Sequence, residues 1–243
     1  MHQHENAAEF HPSKDDVFGR IASRYDLLCD LFSFGIHRLW KRRVAIVIAR
    51  ESWSTLLDGA TGTGDIIVRV LSHKLPVSRR ITASDLSHEM LTIAKRRLGD
   101  CSQVQLEELD AEKMPSIASD SVDAYSISLG LKICDRDKAL SEAMRVLRPN
   151  GRLIILEASN IPWTFAHRMY LAYMFLCMPA IGWLATGGDS SAYRYLLAGI
   201  REFPSAELLA EELRTAGFVD VAFERLSLGI VAIHTGRKPG HDA

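Results

Sequence analysis

The sequence predicts a Rossmann-like α/β fold, a mostly parallel sheet of seven strands with helices on both faces. Short runs of apolar and β-branched residues alternate with longer stretches of helical periodicity, as in repeated βαβ units. The 243 residues, 47% hydrophobic and 24% charged, suit one globular domain of ordinary size. We interpret residues 1–16 as a flexible tail and residues 17–238 as that domain.

The predicted strands are short apolar segments bounded by turn-forming or charged residues. In chain order they are Thr55–Asp58, Arg80–Ser84, Val104–Glu108, Val122–Ser128, Gly151–Glu157, Val219–Leu226 and Ile230–Thr235. Because the last two follow closely on one another, we expect them to form an antiparallel hairpin at the edge of the sheet. Helices are predicted between the strands, near Asp65–Leu75, His88–Leu98, Arg136–Leu147 and Ser205–Ala216.

Two further helical segments stand outside this alternation, at about residues 17–50 and 161–204. We expect both to act as lids over the carboxyl ends of the strands, where open α/β sheets bind ligands. Within the second lid, Met169–Gly188 has no charged residue and is long enough to span a bilayer. Pro179 near its middle favours instead a buried or surface-lying helix, which faces a substrate, a second copy in a homodimer, or a membrane surface.

Charge and cysteine content narrow the range of partners. The formal net charge is -1, from 29 basic and 30 acidic residues, and such a balance gives no reason to expect nucleic-acid binding. The cysteines at positions 29, 101, 134 and 177 form no Cys-x-x-Cys pair, so we expect reduced thiols and neither a zinc site nor disulfides. The polar first 16 residues do not resemble a secretion signal. We therefore expect a cytoplasmic protein, either free or in peripheral contact with a membrane.

The strongest chemical signal is the turn that follows the first strand. The strand ends in Asp58, and the chain then passes through Ala60, Gly62 and Gly64 into a helix. Glycine accepts positive φ and allows a ligand to approach the backbone, and the helix N-terminus offers free N–H groups. This turn alone predicts a nucleotide site only weakly.

The second strand strengthens that prediction because it ends in Asp85, about twenty residues after the turn. A carboxylate at this place can accept hydrogen bonds from both ribose hydroxyls, and we include its neighbour Leu86 among the ligand contacts. The alternative role for Asp85 is to cap the helix that follows, which Ser87 could also do.

The charges around the turn indicate which nucleotide is bound. Asp58 and Asp65 flank it, and negative charge would repel the pyrophosphate of a dinucleotide but suits an ammonium and a sulfonium. S-adenosylmethionine carries both of these groups. A NAD-dependent reductase would also need a Tyr-x-x-x-Lys pair, which neither Tyr170 nor Tyr193 supplies.

Besides the glycine turn, six stretches match one known family, namely Val17–Asp26, Ser33–Lys41, Asp110–Glu112, Arg145–Arg152, Tyr193–Leu196 and Gly229–His234. With them the chain resembles, over about residues 17–238, the UbiE-like C-methyltransferases of ubiquinone and menaquinone biosynthesis. The first and last of these stretches belong to this group more narrowly than to methyltransferases at large.

The resemblance implies a class I methyltransferase fold with S-adenosyl-L-methionine as the cofactor. It implies that the cofactor is contacted by Thr63, Asp85, Asp110, Ala111 and Ser128, with Asp110 at the adenine edge and Ser128 at the methionine end. Tyr25 resembles a tyrosine that closes over the cofactor, although a core aromatic on the leading helix is the alternative.

One departure from the family pattern concerns the acceptor. The family has Gly-Leu-Arg-Asn after the fourth strand, whereas this chain has Gly130-Leu131-Lys132-Ile133. The planar guanidinium of Arg is replaced by the ammonium of Lys132, and the amide of Asn by the aliphatic side chain of Ile133. Both changes weaken the recognition of a polar acceptor at this place. With the apolar Met169–Gly188, these changes favour a lipophilic acceptor other than the standard quinol head group.

Three residues are candidates for catalysis, and none requires a metal ion. His37 could act as a base near neutral pH, unless it is a helix-surface histidine. Glu157 ends the fifth strand at the carboxyl edge, where it could act in catalysis or serve as a structural carboxylate. Lys132 would face the acceptor, and Tyr193–Tyr195 could line its entrance.

The sequence therefore predicts an S-adenosylmethionine-dependent methyltransferase that methylates carbon in a lipophilic acceptor, namely a prenylated quinol, a terpenoid or an aromatic compound. Two alternatives stay open, which are O- or N-methylation of a specialised metabolite and a non-catalytic cofactor-binding protein.

Overall fold

One mixed sheet organises the computed structural model, which describes residues 25–186 and 199–240 and the side chains of residues 26–177 and 199–240. Its strands in chain order are β1 (Thr55–Gly59), β2 (Arg80–Asp85), β3 (Val104–Glu108), β4 (Val122–Ser128), β5 (Leu147–Ala158), β6 (Val219–Leu226) and β7 (Val231–Arg237). They lie side by side in the order β3-β2-β1-β4-β5-β7-β6. Strands β1 to β5 are parallel, and β7 runs antiparallel to both of its neighbours. The predicted seven-stranded sheet with an antiparallel hairpin at its edge is confirmed.

The helices connect and cover these strands. In chain order they are α1 (Tyr25–Ser33), α2 (His37–Arg50), α3 (Asp65–Leu71), α4 (His88–Leu98), α5 (Arg136–Val146), α6 (Thr164–Thr186) and α7 (Ala206–Thr215). Side chains at the N-caps of α4, α5 and α7 accept hydrogen bonds from backbone N–H groups of the first turn, which fixes where these helices begin. Within the described part of the chain, no helix has the length and apolar character needed to cross a bilayer.

Two predicted boundaries were wrong by four residues, and the other strand and connecting-helix boundaries differ by at most two. Helix α3 ends at Leu71, not at Leu75, because the chain turns through Lys74 in a left-handed conformation and then meets Pro76. Strand β5 begins at Leu147, not at Gly151, since Leu147 already pairs with Val122 of β4. The β4–β5 register then shifts, and Asn150 has a positive φ of 66° in the same stretch.

The core fills both faces of the sheet. Along β5, Leu153 and Ile155 pack on one face with helices α5 and α7, whereas Ile154 and Leu156 pack on the other with α2 and α3. This alternation is what a parallel strand covered by helices on both faces requires. Because β1, β2, β4 and β5 are parallel, the residues that follow each of them meet at one edge, and the site lies there.

Candidate functional site

A cleft of about 350 Å³ opens at the carboxyl ends of β1, β2 and β4, and we call it the sheet-edge cleft. Eight of the eleven residues predicted to contact the cofactor line it, namely Ala60, Gly62, Thr63, Asp85, Leu86, Asp110, Ala111 and Ser128. The volume falls within the usual range for small-molecule sites. The structure thus brings residues from four separate sequence segments to one place.

The glycine turn forms the floor of the cleft and is held by β2. The backbone N–H groups of Ala60 and Thr61 donate to the Ser84 carbonyl oxygen at 2.9 and 2.8 Å, and Gly62 N–H donates to Asp85 Oδ2 at 2.8 Å. Gly62 has a φ of 55°, and a Cβ atom there would meet nothing within 4 Å, so its backbone faces open space. Asp85 therefore fixes the turn while its carboxylate remains on the cleft wall.

Two residues predicted to contact the cofactor lie elsewhere. Gly64 packs against α4, where an added Cβ would stand 3.1 Å from the Ala94 Cβ atom. Asp58 is buried below the turn and accepts a hydrogen bond of 2.6 Å from Ser126 Oγ. Burial raises the pKa of Asp58 to about 6, partly offset by that hydrogen bond. Neither residue lines the cleft, and their predicted contact with the cofactor stays a prediction.

The charge of Asp65 is also compensated within the protein. Asp65 lines the cleft, but its carboxylate lies 3.0 Å from Lys41 Nζ and 3.1 Å from Arg69 Nε. The sequence argument from free negative charge around the turn is therefore not supported by the geometry. Position and hydrogen-bonding capacity, not net charge, distinguish this cleft.

One hydroxyl group that lines the cleft lacks a partner within the described structure. Ser128 Oγ is buried and has no hydrogen bond there, although buried hydroxyls are nearly always paired. On the far wall, Asp110 Oδ1 accepts from Glu112 N–H at 2.9 Å, which holds the Asp110–Ala111 pair against the cleft. The Ser128 hydroxyl is therefore available to a bound ligand.

Helix α1 is tied to the turn by a small polar cluster. Thr63 Oγ1 donates to Asp26 Oδ1 at 3.2 Å and accepts from the Arg97 guanidinium at 3.0 Å, and Arg97 also pairs with Asp26. The side chain of Tyr25, next to Asp26, lies outside the described residues, as do Tyr193, Arg194 and Tyr195. Their predicted roles stay predictions.

A second, apolar cavity of about 270 Å³ adjoins the first. Helices α1, α2 and α6 and the ends of β4, β5 and β7 line it, and all three catalytic candidates, His37, Lys132 and Glu157, belong to its wall. Leu129 lines both the apolar cavity and the sheet-edge cleft. It has a left-handed φ of 56°, and its N–H donates to the Leu156 carbonyl oxygen at 2.7 Å.

His37 is buried in the wall with one ring nitrogen engaged. Its Nδ1 lies 2.9 Å from Ser33 Oγ, and that hydroxyl donates to the Cys29 carbonyl oxygen at 2.6 Å. The hydroxyl proton is thereby used, so Nδ1 is the donor and Nε2 carries the free lone pair. Burial, followed by the positive charge of Lys41, lowers the pKa of His37 to about 4.

Lys132 and Glu157 form a buried ion pair in the same wall. The Lys132 Nζ atom lies 3.2 Å from Glu157 Oε1 and also donates to the Leu129 carbonyl oxygen. Glu157 further accepts from the backbone N–H of Lys132 at 3.1 Å and of Ala158 at 2.7 Å. With both oxygens engaged, Glu157 serves as the counterion of Lys132.

Sequence reasoning missed Lys41, which is buried and lines the sheet-edge cleft. It stands among other basic residues of α2, and nothing in its type sets it apart. Helical periodicity could have found it, because His37 and Lys41 share the buried face of α2 with Val44 and Ile48.

The sequence is similar to known methyltransferases over nearly its full length. The model of the ubiE/COQ5 methyltransferase family matches residues 6–238. Among curated proteins, a ubiquinone/menaquinone biosynthesis C-methyltransferase UbiE from Paracoccus denitrificans is 41% identical over 226 residues, covering 91% of this chain and 89% of the relative. Its counterpart from Acidiphilium cryptum is 39% identical over 225 residues, covering 91% and 88%.

Solved structures share the fold at lower identity. A SAM-dependent methyltransferase from Thermotoga maritima superposes with a TM-score of 0.64 at 20% identity, covering 92% of this chain and 98% of that one. The cyclase SpnF superposes with a TM-score of 0.58 at 21% identity, covering 82% and 81%. At this level of identity the likeness is one of architecture.

Proposed function

The chain belongs to the ubiE/COQ5 methyltransferase family, and from that premise we propose that it methylates a carbon atom of a lipophilic acceptor held in the apolar cavity. It is an S-adenosylmethionine-dependent methyltransferase of class I fold. The observation that carries the proposal is Leu129, because this residue lines both chambers and so brings a cofactor cleft and an apolar cavity to a common wall.

The residues of the sheet-edge cleft fit S-adenosylmethionine. In this proposal Asp85 accepts hydrogen bonds from the ribose hydroxyls, Asp110 meets the adenine, and the unpaired Ser128 hydroxyl bonds the methionine end. The open face of Gly62 lets the ligand approach the backbone. When bound, the cofactor supplies an electrophilic methyl group on a sulfonium centre.

The walls of the apolar cavity orient the acceptor and exclude water. Methyl transfer to carbon depends chiefly on alignment in a dry site, which an apolar lining provides. The Lys132 ammonium has two of its three hydrogens engaged by Glu157 and Leu129, and the third is available to an acceptor oxygen. Its positive charge would stabilise an electron-rich, phenolate-like oxygen.

His37 has the properties of an orienting group. Its Nε2 can accept a hydrogen bond from an acceptor hydroxyl, and a pKa of about 4 suits hydrogen-bond acceptance better than storage of a proton. We therefore assign His37 to positioning the hydroxyl and Lys132 to stabilising charge on the oxygen.

The proposed acceptor is a hydroxylated aromatic or quinol ring that carries an apolar substituent. Its ring would meet Lys132 and His37, and its apolar part would meet Leu28, Phe32 and Met174. A cavity of about 270 Å³ is slightly smaller than the usual range for ligand sites, so a long prenyl tail would extend beyond it. Lys132, which replaces the Arg of the family pattern, lies in the wall of the apolar cavity and supports a head group that differs from the standard quinol, whereas Ile133 lines the sheet-edge cleft.

The test is turnover of methyl-labelled S-adenosylmethionine with a panel of prenylated phenols and quinols and their unprenylated parents. We expect label transfer to ring carbon, identified by NMR of the product, with higher kcat/KM for the prenylated compounds. An S128A variant serves as the cofactor-site control. Methylation of oxygen or nitrogen would contradict the C-methyltransferase assignment, and tight cofactor binding without any transfer would favour a non-catalytic role.

Acceptors of this kind reside in membranes, which supports a cytoplasmic protein that works at a membrane surface. The balanced charge of the sequence gives no support to nucleic acid as a partner.

A further inference from the structure

Helices α1 and α6 pack against each other and cover the apolar cavity. The Phe34 ring, at the turn after α1, lies 5.7 Å from the Tyr173 ring of α6, and Tyr173 Oη donates to the Phe32 carbonyl oxygen at 3.3 Å. Their inner sides, which include Leu28 and Met174, face the cavity. The seam between the two helices therefore lies over the acceptor site.

The outer sides of both helices are also apolar. In α1 and its turn, the exposed large side chains recur at Leu27, Leu31 and Phe34, with spacings of four and three residues. Around α6 they are Trp163, Phe165, Met169, Phe175 and Leu176. We call these eight residues the outer apolar face.

Exposure on this scale is unusual for side chains of this type. Phe34 and Phe165 are each 78% exposed and Phe175 is 73% exposed. Eight of the sixteen large hydrophobic residues that are exposed in the described part of the chain belong to this one face. Clustered exposure of aromatic and aliphatic side chains marks a surface that contacts another apolar phase.

The charges on the face distinguish a lipid surface from a second copy of the chain. Helix α6 has no acidic residue, and its one charged residue, Arg168, is exposed between Phe165 and Met169. In a symmetric dimer this guanidinium would be buried among apolar side chains, at a large desolvation cost. At a bilayer its stem can lie along the apolar region while the guanidinium reaches the phosphates. Trp163, at the start of the helix, is the residue type that prefers the interface.

We propose that the outer apolar face docks on an anionic lipid bilayer, and that the acceptor passes from the bilayer between α1 and α6 into the apolar cavity. The entry route rests on the proposed lipophilic acceptor, whereas docking itself does not. The face is continuous with the cavity at Phe34, which is both exposed and part of the cavity wall.

The docking test measures the full-length protein bound to sedimented vesicles. Vesicles of phosphatidylcholine alone are compared with vesicles containing phosphatidylglycerol, at low and high salt. We expect stronger binding to the anionic vesicles and at least a tenfold loss of partitioning for F165S/M169Q and for F175S/L176S. R168Q should remove most of the preference for anionic lipid. V77T and L208Q, at exposed hydrophobic positions outside the face, are the matched controls and should bind like the parent protein.

Activity separates this proposal from the proposed function. The face variants should keep the parent kcat/KM with a short-tailed, water-soluble acceptor and lose it only with a long-tailed acceptor presented in vesicles. Absence of turnover with every acceptor would overturn the proposed function but leave the vesicle result standing. Unchanged vesicle binding by the face variants, or their conversion of a dimer into a monomer, would overturn the docking proposal.

Discussion

Lys132 should stabilise the fold because it neutralises the charge of Glu157 in the apolar cavity wall. The Glu157 carboxylate is completely buried, so loss of Lys132 would leave its charge without a counterion. We expect K132M to lower the free energy of unfolding by about 3–5 kcal/mol, and K132M/E157Q to recover much of that loss. The coupling free energy between the two side chains is measured by urea denaturation of the parent, both single variants and the double variant. Additive losses would show that the two side chains act independently.

His37 connects the fold to pH. Its pKa is about 4 in the folded protein against an ordinary value of 6.5, so between those values the unfolded chain holds a proton that the folded one does not. Folding stability from this residue is therefore present above pH 6.5 and is lost as the pH falls towards 4. At about 1.4 kcal/mol per pKa unit the loss is about 3 kcal/mol.

Comparison with H37Q isolates this contribution. We expect the stability advantage of the parent over H37Q to shrink by about that amount between pH 7 and pH 4, measured by urea denaturation at each pH. Asp58, whose raised pKa of about 6 acts in the opposite direction, is present in both proteins and cancels. A difference that does not change with pH would contradict the predicted burial of a neutral imidazole.

At the level of the element, the turn after β1 contains two glycines with different roles, since Gly62 faces the cleft and Gly64 packs against α4. Both have positive φ, but a Cβ at Gly62 would face open space, whereas one at Gly64 would press on Ala94 of α4. We expect G62A to cost only about 1 kcal/mol of backbone strain and to weaken cofactor binding. G64A should cost stability beyond that strain, about 2 kcal/mol or more. Thermal unfolding and calorimetric titration with S-adenosylhomocysteine measure the two effects, and the reverse pattern would contradict this division.

The tie between α1 and the turn should affect the cofactor more than the fold. Asp26 joins Thr63 and Arg97 beside the cleft, so D26N should weaken S-adenosylhomocysteine binding by about three- to tenfold, as expected for the loss of a partly exposed charged contact. R97Q should do the same, and the double variant should be no worse than either single one. D30N breaks an ion pair to Arg38 that joins α1 to α2 and serves as the control. Equal loss of affinity in D30N would show that the effect is general loosening of α1.

Sequence patterns predicted elements better than side-chain directions. Period-two and period-3.6 hydrophobicity is imposed by burial, and all seven strands and four connecting helices followed from it with small boundary errors. The direction of the Asp58 side chain could not be predicted in this way, because it depends on a hydrogen bond from Ser126 of β4, which is 68 residues away in the chain. The pairing of Asp65 with Lys41 depends likewise on how α2 packs on α3. Contacts across elements decide the electrostatics of this site, and local sequence does not encode them.

At the level of the whole molecule, cofactor binding should raise the thermal stability of the entire domain. The sheet-edge cleft joins β1, β2 and β4 with α1 and α2, so a ligand there contacts much of the cooperative unit. S-adenosylhomocysteine at 100 times its Kd should add about 2.7 kcal/mol and raise Tm by about 5–10 °C, measured by calorimetry. NAD at the same concentration should leave Tm unchanged. A shift with NAD and none with S-adenosylhomocysteine would overturn the cofactor assignment.

The position of β7 has a consequence for how the protein is made. This strand lies between β5 and β6, yet it is synthesised after both of them. Until β7 has been synthesised, β6 has no neighbouring strand to pair with and β5 exposes one edge. Ile230 and Val231, which help to line the apolar cavity, also emerge only at that stage. The nascent chain can therefore assemble its cofactor cleft before it can assemble its acceptor cavity. Termination of translation before β7 would leave an incompletely folded, aggregation-prone chain that chaperones and proteases must process.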